Sequence, residues 1–232
     1  MIRTFLTSVA LIAVLLGAQP IAAQSAQGVK KTKAEKVLSD DDLAKRAETW
    51  VQSLNLNDPA KEARLTKVIS THLIAIRNWN NEHSFTSVPA GINPATGAPL
   101  SEMDRQIIAI SAMPKSVHED LMSGLRKDLT EEQVELILDK YTVGKVAFTM
   151  KGYHAIVPDL TPQEEATILA YLKQAREQAV DFKNMTHISA IFKIYKLKCQ
   201  QYLNSNGRSW QKMYKEYFDK MKAEKGSETP TE

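Results

Sequence analysis

The side chains able to do chemistry in this chain are few and dispersed. Five histidines and one cysteine invite a search for metal ligands. His72 and His83 share roughly one helical face but lie about 16 Å apart along it at a rise of about 1.5 Å per residue, too far to share an ion. No metal and no cofactor are expected. The patterns G-x-S-x-G, H-E-x-x-H and the phosphate loop do not occur in the sequence. His72 is flanked by apolar positions and reads as a hydrogen-bonded core histidine. Cys199 shares a helix face with Ile188, Phe192, Tyr195 and Tyr202 and reads as buried and inert.

Polar groups suited to gripping a ligand concentrate in two places. Arg77 to His83, RNWNNEH, closes a helix with amides, charges and an aromatic ring, a mix that suits a hydroxyl-rich partner. Trp79, Asn81 and His83 are its candidates, against the alternative that Trp79 is core and the rest a solvated helix end. Directly after it, Ser84 to Leu100 carries three prolines, two glycines and no charge, a loop signature. A neutral loop of this length is expected to cover something, and its far anchor places Asp104 and Arg105 close by through chain connectivity. The second concentration lies in Asp139 to Asp159, DKYTVGKVAFTMKGYHAIVPD, with Lys145, Lys151, Tyr153 and His154. One reading has His118, Lys145, Tyr153 and His154 facing the same cleft as the loop anchors; the other scatters them over surface and core. A polysaccharide lyase would need a cation to neutralise a uronate carboxylate and a base beside it, groups that Arg105, Lys145, Tyr153 and His154 contain.

These residues must be positioned by helices. Residues 1–23 read as a secretory signal peptide: Arg3, an apolar stretch from Phe5 to Ala18, and cleavage after Ala23. This implies a periplasmic or secreted protein. Residues 24–38 form a lysine-rich linker and 222–232 a polar tail, both expected to be disordered. A lone cysteine allows no internal disulfide, so the core must suffice. Thirty basic against twenty-seven acidic residues give no nucleic-acid footprint, and no apolar run after the leader is long enough to span a membrane.

Between residues 39 and 221 the pattern predicts a compact all-α, multi-helix domain. Ser39 with Asp42, Ser101 with Asp104 and Thr130 with Gln133 are capping boxes; Asp58-Pro59 and Thr161-Pro162 are further helix starts. The first helix should end near Leu56. Val143 to Val157 satisfies strand and helix templates alike and is taken as helix, loosened at Gly144 and Gly152, because no partner strand is available. Met185 to Tyr202 and Trp210 to Met221 are the last two amphipathic helices, separated by an Asn206-Gly207 turn.

Two resemblances add to this. LTEEQ (129–133) and LTPQE (160–164) look like the L-T-x-x-Q signature of the small all-α periplasmic chaperones of the Spy/CpxP type, the second copy ending in Glu for Gln. An ATP-independent holdase is therefore an alternative function. A longer resemblance spans nearly the whole chain after the leader: VPAGINPATGAPLSEMDRQIIAISAMPKSVHEDL, LTEEQVELILDKYTVGKVAFTMKGYHAIVPDLT and SAIFKIYKLKCQQYLNSNG are similar to an uncharacterised family of exported proteins, a domain of unknown function from polysaccharide-degrading bacteria described as sugar-binding. That resemblance implies a carbohydrate-binding accessory whose partner is an oligosaccharide or polysaccharide. It brings no catalytic residue.

Overall fold

Four helices start in the same way, with the hydroxyl of an N-cap Ser or Thr accepting from the third helical N–H while the acid or amide there accepts from the N-cap N–H. In the computed structural model, which describes residues 38–94 and 96–227, these pairs are Ser39/Asp42, Ser101/Asp104, Thr130/Gln133 and Thr161/Glu164. They open α1 (Asp40–Gln52), α3 (Glu102–Ser111), α5 (Glu131–Thr142) and α7 (Pro162–Ala179). Asp58 caps α2 (Pro59–Glu82), with Pro59 at the first position, where a missing N–H costs nothing. α4 (Lys115–Asp128) follows Pro114, and α8 (Met185–Ser205) is capped by the Asn184 side chain. α6 (Lys145–Ile156) and α9 (Trp210–Ser227) complete the order, so the last helix continues through the first six of residues 222–232. Residues 1–37, and with them the segments expected to be a signal peptide and almost all of the linker, lie outside the described residues.

The all-α expectation holds. Among the described residues, backbone pairing beyond the helices is a single antiparallel bridge, Ile92 with Pro99, which pinches the neutral loop. A short 3-10 turn, Phe85–Ser87, starts that loop. The segment that satisfied both templates is helical. What precedes it is a reversal in which Val143 (φ 53°) and Gly144 (φ 64°) are both left-handed, the one step by which α5 turns directly into α6. The first helix ends at Gln52, earlier than Leu56, because Asn55 and Asn57 adopt positive φ and take the chain out of the helical path.

Packing is dominated by neighbouring pairs: α1 on α2, α2 on α4, and α7 on α8, with α5 and α6 laid against α7 and α9 against α6. Leu43, Val51, Leu65, Ile69, Leu73, Leu121, Leu125, Ile137 and Val180 belong to one buried cluster. Each such side chain contributes about 1.5–3 kcal/mol of burial. The α2–α4 contact is close because residue 124 is glycine: a Cβ there would stand 2.8 Å from both methyls of Val68. α5 and α7 are further tied by Arg176, buried, whose guanidinium donates to Asp139 at 2.8 Å. No described helix is long and apolar enough to cross a membrane.

Candidate functional site

The close approach of α2 and α4 brings two histidines to one carboxylate. His72 lies on the buried stripe of α2 with Ile69, Leu73 and Ile76, and His118 lies in the first turn of α4. Asp181 stands two residues past the end of α7, between Val180 and Phe182, both buried. His72 Nε2–H donates to Asp181 Oδ1 at 3.0 Å, and its Nδ1 accepts from the Tyr141 hydroxyl at 3.2 Å. A carboxylate only accepts, which sets the tautomer of His72. His118 Nδ1–H is shared between Oδ1 (3.1 Å) and Oδ2 (3.0 Å) of the same carboxylate. Its other nitrogen, Nε2, is 3.8 Å from Glu177 Oε1.

The electrostatics follow from this geometry. Burial alone would raise the Asp181 carboxyl, but the hydrogen bonds from His118 and His72, with the charge of His118, outweigh it, and the group is held below the ordinary carboxylate value. His118 is raised above its ordinary 6.5, first by the hydrogen bond to Asp181, against a contrary effect of burial, with the charges of Asp181 and Glu177 adding to it. Burial, and then the Asp181 charge, push the Tyr141 hydroxyl well above 10, so it remains the donor that His72 requires.

His118 and Asp181 line a cavity of about 520 Å³. Beside them stand the amides Gln174 and Gln178 and the carboxylates Glu119 and Glu177, with the Tyr195 ring from α8. Ile110, Met113 and Phe182 supply an apolar portion. The size falls within the range of small-ligand pockets, and the lining offers donors, acceptors and a ring face to one occupant. A second cavity, about 470 Å³ between α2 and α4, is lined by His72 together with Arg64, Thr71 and Asp120, so the histidine pair separates two recesses. Among the described residues no group of three His, Cys, Asp or Glu is placed to hold a metal ion.

With this geometry in view, comparison with known families is decisive on one point. The family described as "Protein of unknown function (DUF3826)" matches residues 41–223. The chain belongs to the DUF3826 family. No curated protein matches it.

The residues singled out from the sequence of this DUF3826 protein divide into four groups. His118 lines the first cavity. Trp79, Asn81 and His83 are not among its lining residues and serve as fastenings: the Trp79 indole N–H donates to the Ala109 carbonyl at 3.0 Å, fixing the end of α3 beside Ile110, and His83 stacks on Trp79 at 3.7 Å. Asn81 accepts from Lys183 at 3.3 Å, close to the turn that carries Asp181. Asp104 is consumed by its capping box, and Arg105 holds the neutral loop by donating to the Val88 carbonyl at 2.8 Å while lying over the Phe85 ring. The loop is thus clamped by its own anchor.

Lys145, Tyr153 and His154 have other surroundings. Tyr153 is 3% exposed, donates to the Lys196 carbonyl at 3.3 Å and packs on Trp210, so it faces the core where α6 meets α8 and α9. Burial pushes its hydroxyl far above 10, and the proton it keeps is donated to the Lys196 carbonyl. His154 is exposed and pairs with Glu165 at 3.2 Å, while Lys145 lies over the Phe192 ring. None of the three is among the residues lining the His118 cavity. Asp181, Glu177, Gln174 and Gln178 escaped sequence reasoning because they belong to the cavity only through the packing of α7 on its neighbours. One signal was available for Asp181: an acid immediately past a helix end, between two large apolar residues, needs buried donors.

Proposed function

We propose that this protein binds a carbohydrate, as an extracytoplasmic accessory in glycan use, and that the bound sugar occupies the cavity of His118 and Asp181. The observation that carries the reading is the lining of that cavity, where two amides, carboxylates and an anchored imidazole surround a space beside the Tyr195 ring. Amides and carboxylates bond vicinal hydroxyls as donors and acceptors, and the ring covers C–H faces. Its rigidity supports the same reading: Asp181 is oriented by His72, and His72 by Tyr141, so the polar groups are set before a ligand arrives. The sugar-binding role implied by the family resemblance and the leader at residues 1–23 agree with it. Calorimetric titration of the chain without its leader against neutral and acidic oligosaccharides tests the proposal: a saturable heat that disappears in Gln178→Ala and Glu177→Ala supports it, and no heat with any oligosaccharide rejects it.

A second reading has an observation of its own. With Nδ1 held by Asp181, His118 keeps Nε2 for an occupant of the cavity, the arrangement of a general acid or base. A glycan-cleaving activity would rest on His118 and Asp181 instead of on Tyr153. Release of an unsaturated product, absorbing near the ultraviolet edge and abolished in His118→Ala, would establish it.

A further inference from the structure

The recess of about 470 Å³ between α2 and α4 is a groove with two unlike ends. The Arg64 guanidinium, near the start of α2, donates to both oxygens of Asp128, at the end of α4, at 2.7 and 3.0 Å. One turn further in, Gly124 packs on Val68. Numbers therefore rise along α2 as they fall along α4, and the two helices run antiparallel. Each wall presents one stripe at the helical spacing of three and four, with Arg64, Lys67, Val68 and Ala75 on α2 and Val117, Leu121, Gly124 and Lys127 on α4. This register sets Lys67 across from Lys127 beside the Arg64–Asp128 pair, and Ala75 across from Val117 at the far end. From Arg64 to Ala75 the groove is about 16 Å long at the helical rise.

The charges in the lining do not cancel. Asp128 neutralises Arg64, whereas Lys67 and Lys127 stand in no ion pair among the described residues. Asp120, midway along, is the remaining acid of the lining, so one positive charge is left over, at the lysine end. Between the ends the surface is apolar. Val68, Ala75 and Val117 are half-buried and Leu121 is buried. His72 adds a wall without a free polar atom, since its two ring nitrogens are taken by Asp181 and Tyr141.

We infer that this groove binds a free medium-chain fatty acid, its carboxylate between Lys67 and Lys127 and its chain lying over Val68 and Leu121 toward Ala75 and Val117. A single negative head matches the single uncompensated positive charge, and the flexible lysine stems let both ammonium groups reach it from opposite walls. The apolar length beyond them covers hydrocarbon that would otherwise stay in water. The site is separate from the His118 cavity and stands whether or not that cavity takes a sugar.

The test is calorimetric titration of the chain without residues 1–23 with hexanoate, octanoate and decanoate below their micelle concentrations, and with decylamine as the head-group comparator. Saturable binding of decanoate is expected, with Kd falling about fourfold for each methylene added along the series. Decylamine should bind about tenfold more weakly than decanoate, and Lys67→Gln/Lys127→Gln should weaken decanoate about fivefold, the scale of two exposed ion pairs. Both lysines are exposed, so the substitutions spare the core. Methyl NMR of the unaltered protein gives a readout that needs no variant: decanoate should shift Val68, Ala75 and Val117 and leave the buried Val134 and Val146 unmoved. No saturable heat, a Kd independent of chain length, decylamine binding as tightly as decanoate, undiminished binding by the double variant, or shifts that spare Val68 and Val117 would each overturn the inference. Binding to vesicles of anionic phospholipid without binding of decanoate would overturn it too, and would assign this face to a membrane surface.

Discussion

Replacing Asp181 by Asn changes one atom and removes the charge on which two histidines converge. In the native protein the carboxylate accepts from His72 at 3.0 Å and from His118 at 3.0 and 3.1 Å, two charge-assisted interactions of about 1.5–3 kcal/mol each. An asparagine keeps one acceptor oxygen and presents its NH₂ to the other ring, so one neutral bond of about 1 kcal/mol remains and the net loss is about 3 kcal/mol. For a chain of this size that lowers Tm by about 6–12 °C. The pH dependence supplies a sharper criterion. A group whose pKa is raised in the folded state adds stability that is fully present below its unfolded value and is lost as pH rises through its folded value. His118, raised above 6.5, therefore makes the native protein lose stability as pH climbs from about 6.5 through the raised folded value. Asp181, held below 3.8, adds stability present above that value and lost as pH falls through its lowered one. In Asp181→Asn both slopes should flatten, and NMR titration of His118 should show its pKa moving down. A variant that melts like the native protein with His118 titrating unchanged would refute the argument that the carboxylate organises this pair.

Other consequences are independent of the cavity. Val143 is β-branched, exposed and left-handed at φ 53°, a conformation costing such a residue about 1–2 kcal/mol, so Val143→Gly should raise Tm by about 2 °C after allowing for the entropy of glycine in the unfolded chain; an unchanged or lower Tm would show that the backbone is not strained there. Glu164 is held down to about 2, first by hydrogen bonds from Arg208, so its contribution is present above its ordinary 4.5 and is lost as pH falls from there toward about 2; acid-unfolding curves of Arg208→Gln should be flatter in that window than those of the native protein. Cys199 is fully buried and its thiol is pushed up to about 11 by burial, so a bulky thiol reagent should modify it only after denaturation; rapid labelling of the native protein would contradict its placement.

Helix starts were legible because each is a local event: Ser39, Ser101, Thr130 and Thr161 find their partners three residues away, within reach of any sequence reading. The character of His72 was legible as well, since a histidine among apolar positions must find partners inside. The identity of those partners was not, because Tyr141 and Asp181 lie 69 and 109 residues further along and reach it only when α5 and the α7–α8 turn pack against α2. Tyr153 misled for a related reason. Polar neighbours in sequence, Lys151 and His154, surround it on the chain, but the helical rotation sends the tyrosine inward onto Trp210 and leaves the other two outside. Arg105 and Asp104 looked like ligand groups and are spent on holding backbone, Arg105 on Val88 and Asp104 on Ser101.

The most direct test of the carbohydrate reading is an NMR titration of the protein with a panel of neutral and acidic oligosaccharides, following the ring resonances of His118 and Tyr195. The account predicts that at least one oligosaccharide binds saturably and shifts both rings, with the Tyr214 ring on α9 unmoved. Absence of binding across the panel, or binding that leaves His118 and Tyr195 unshifted, would contradict it.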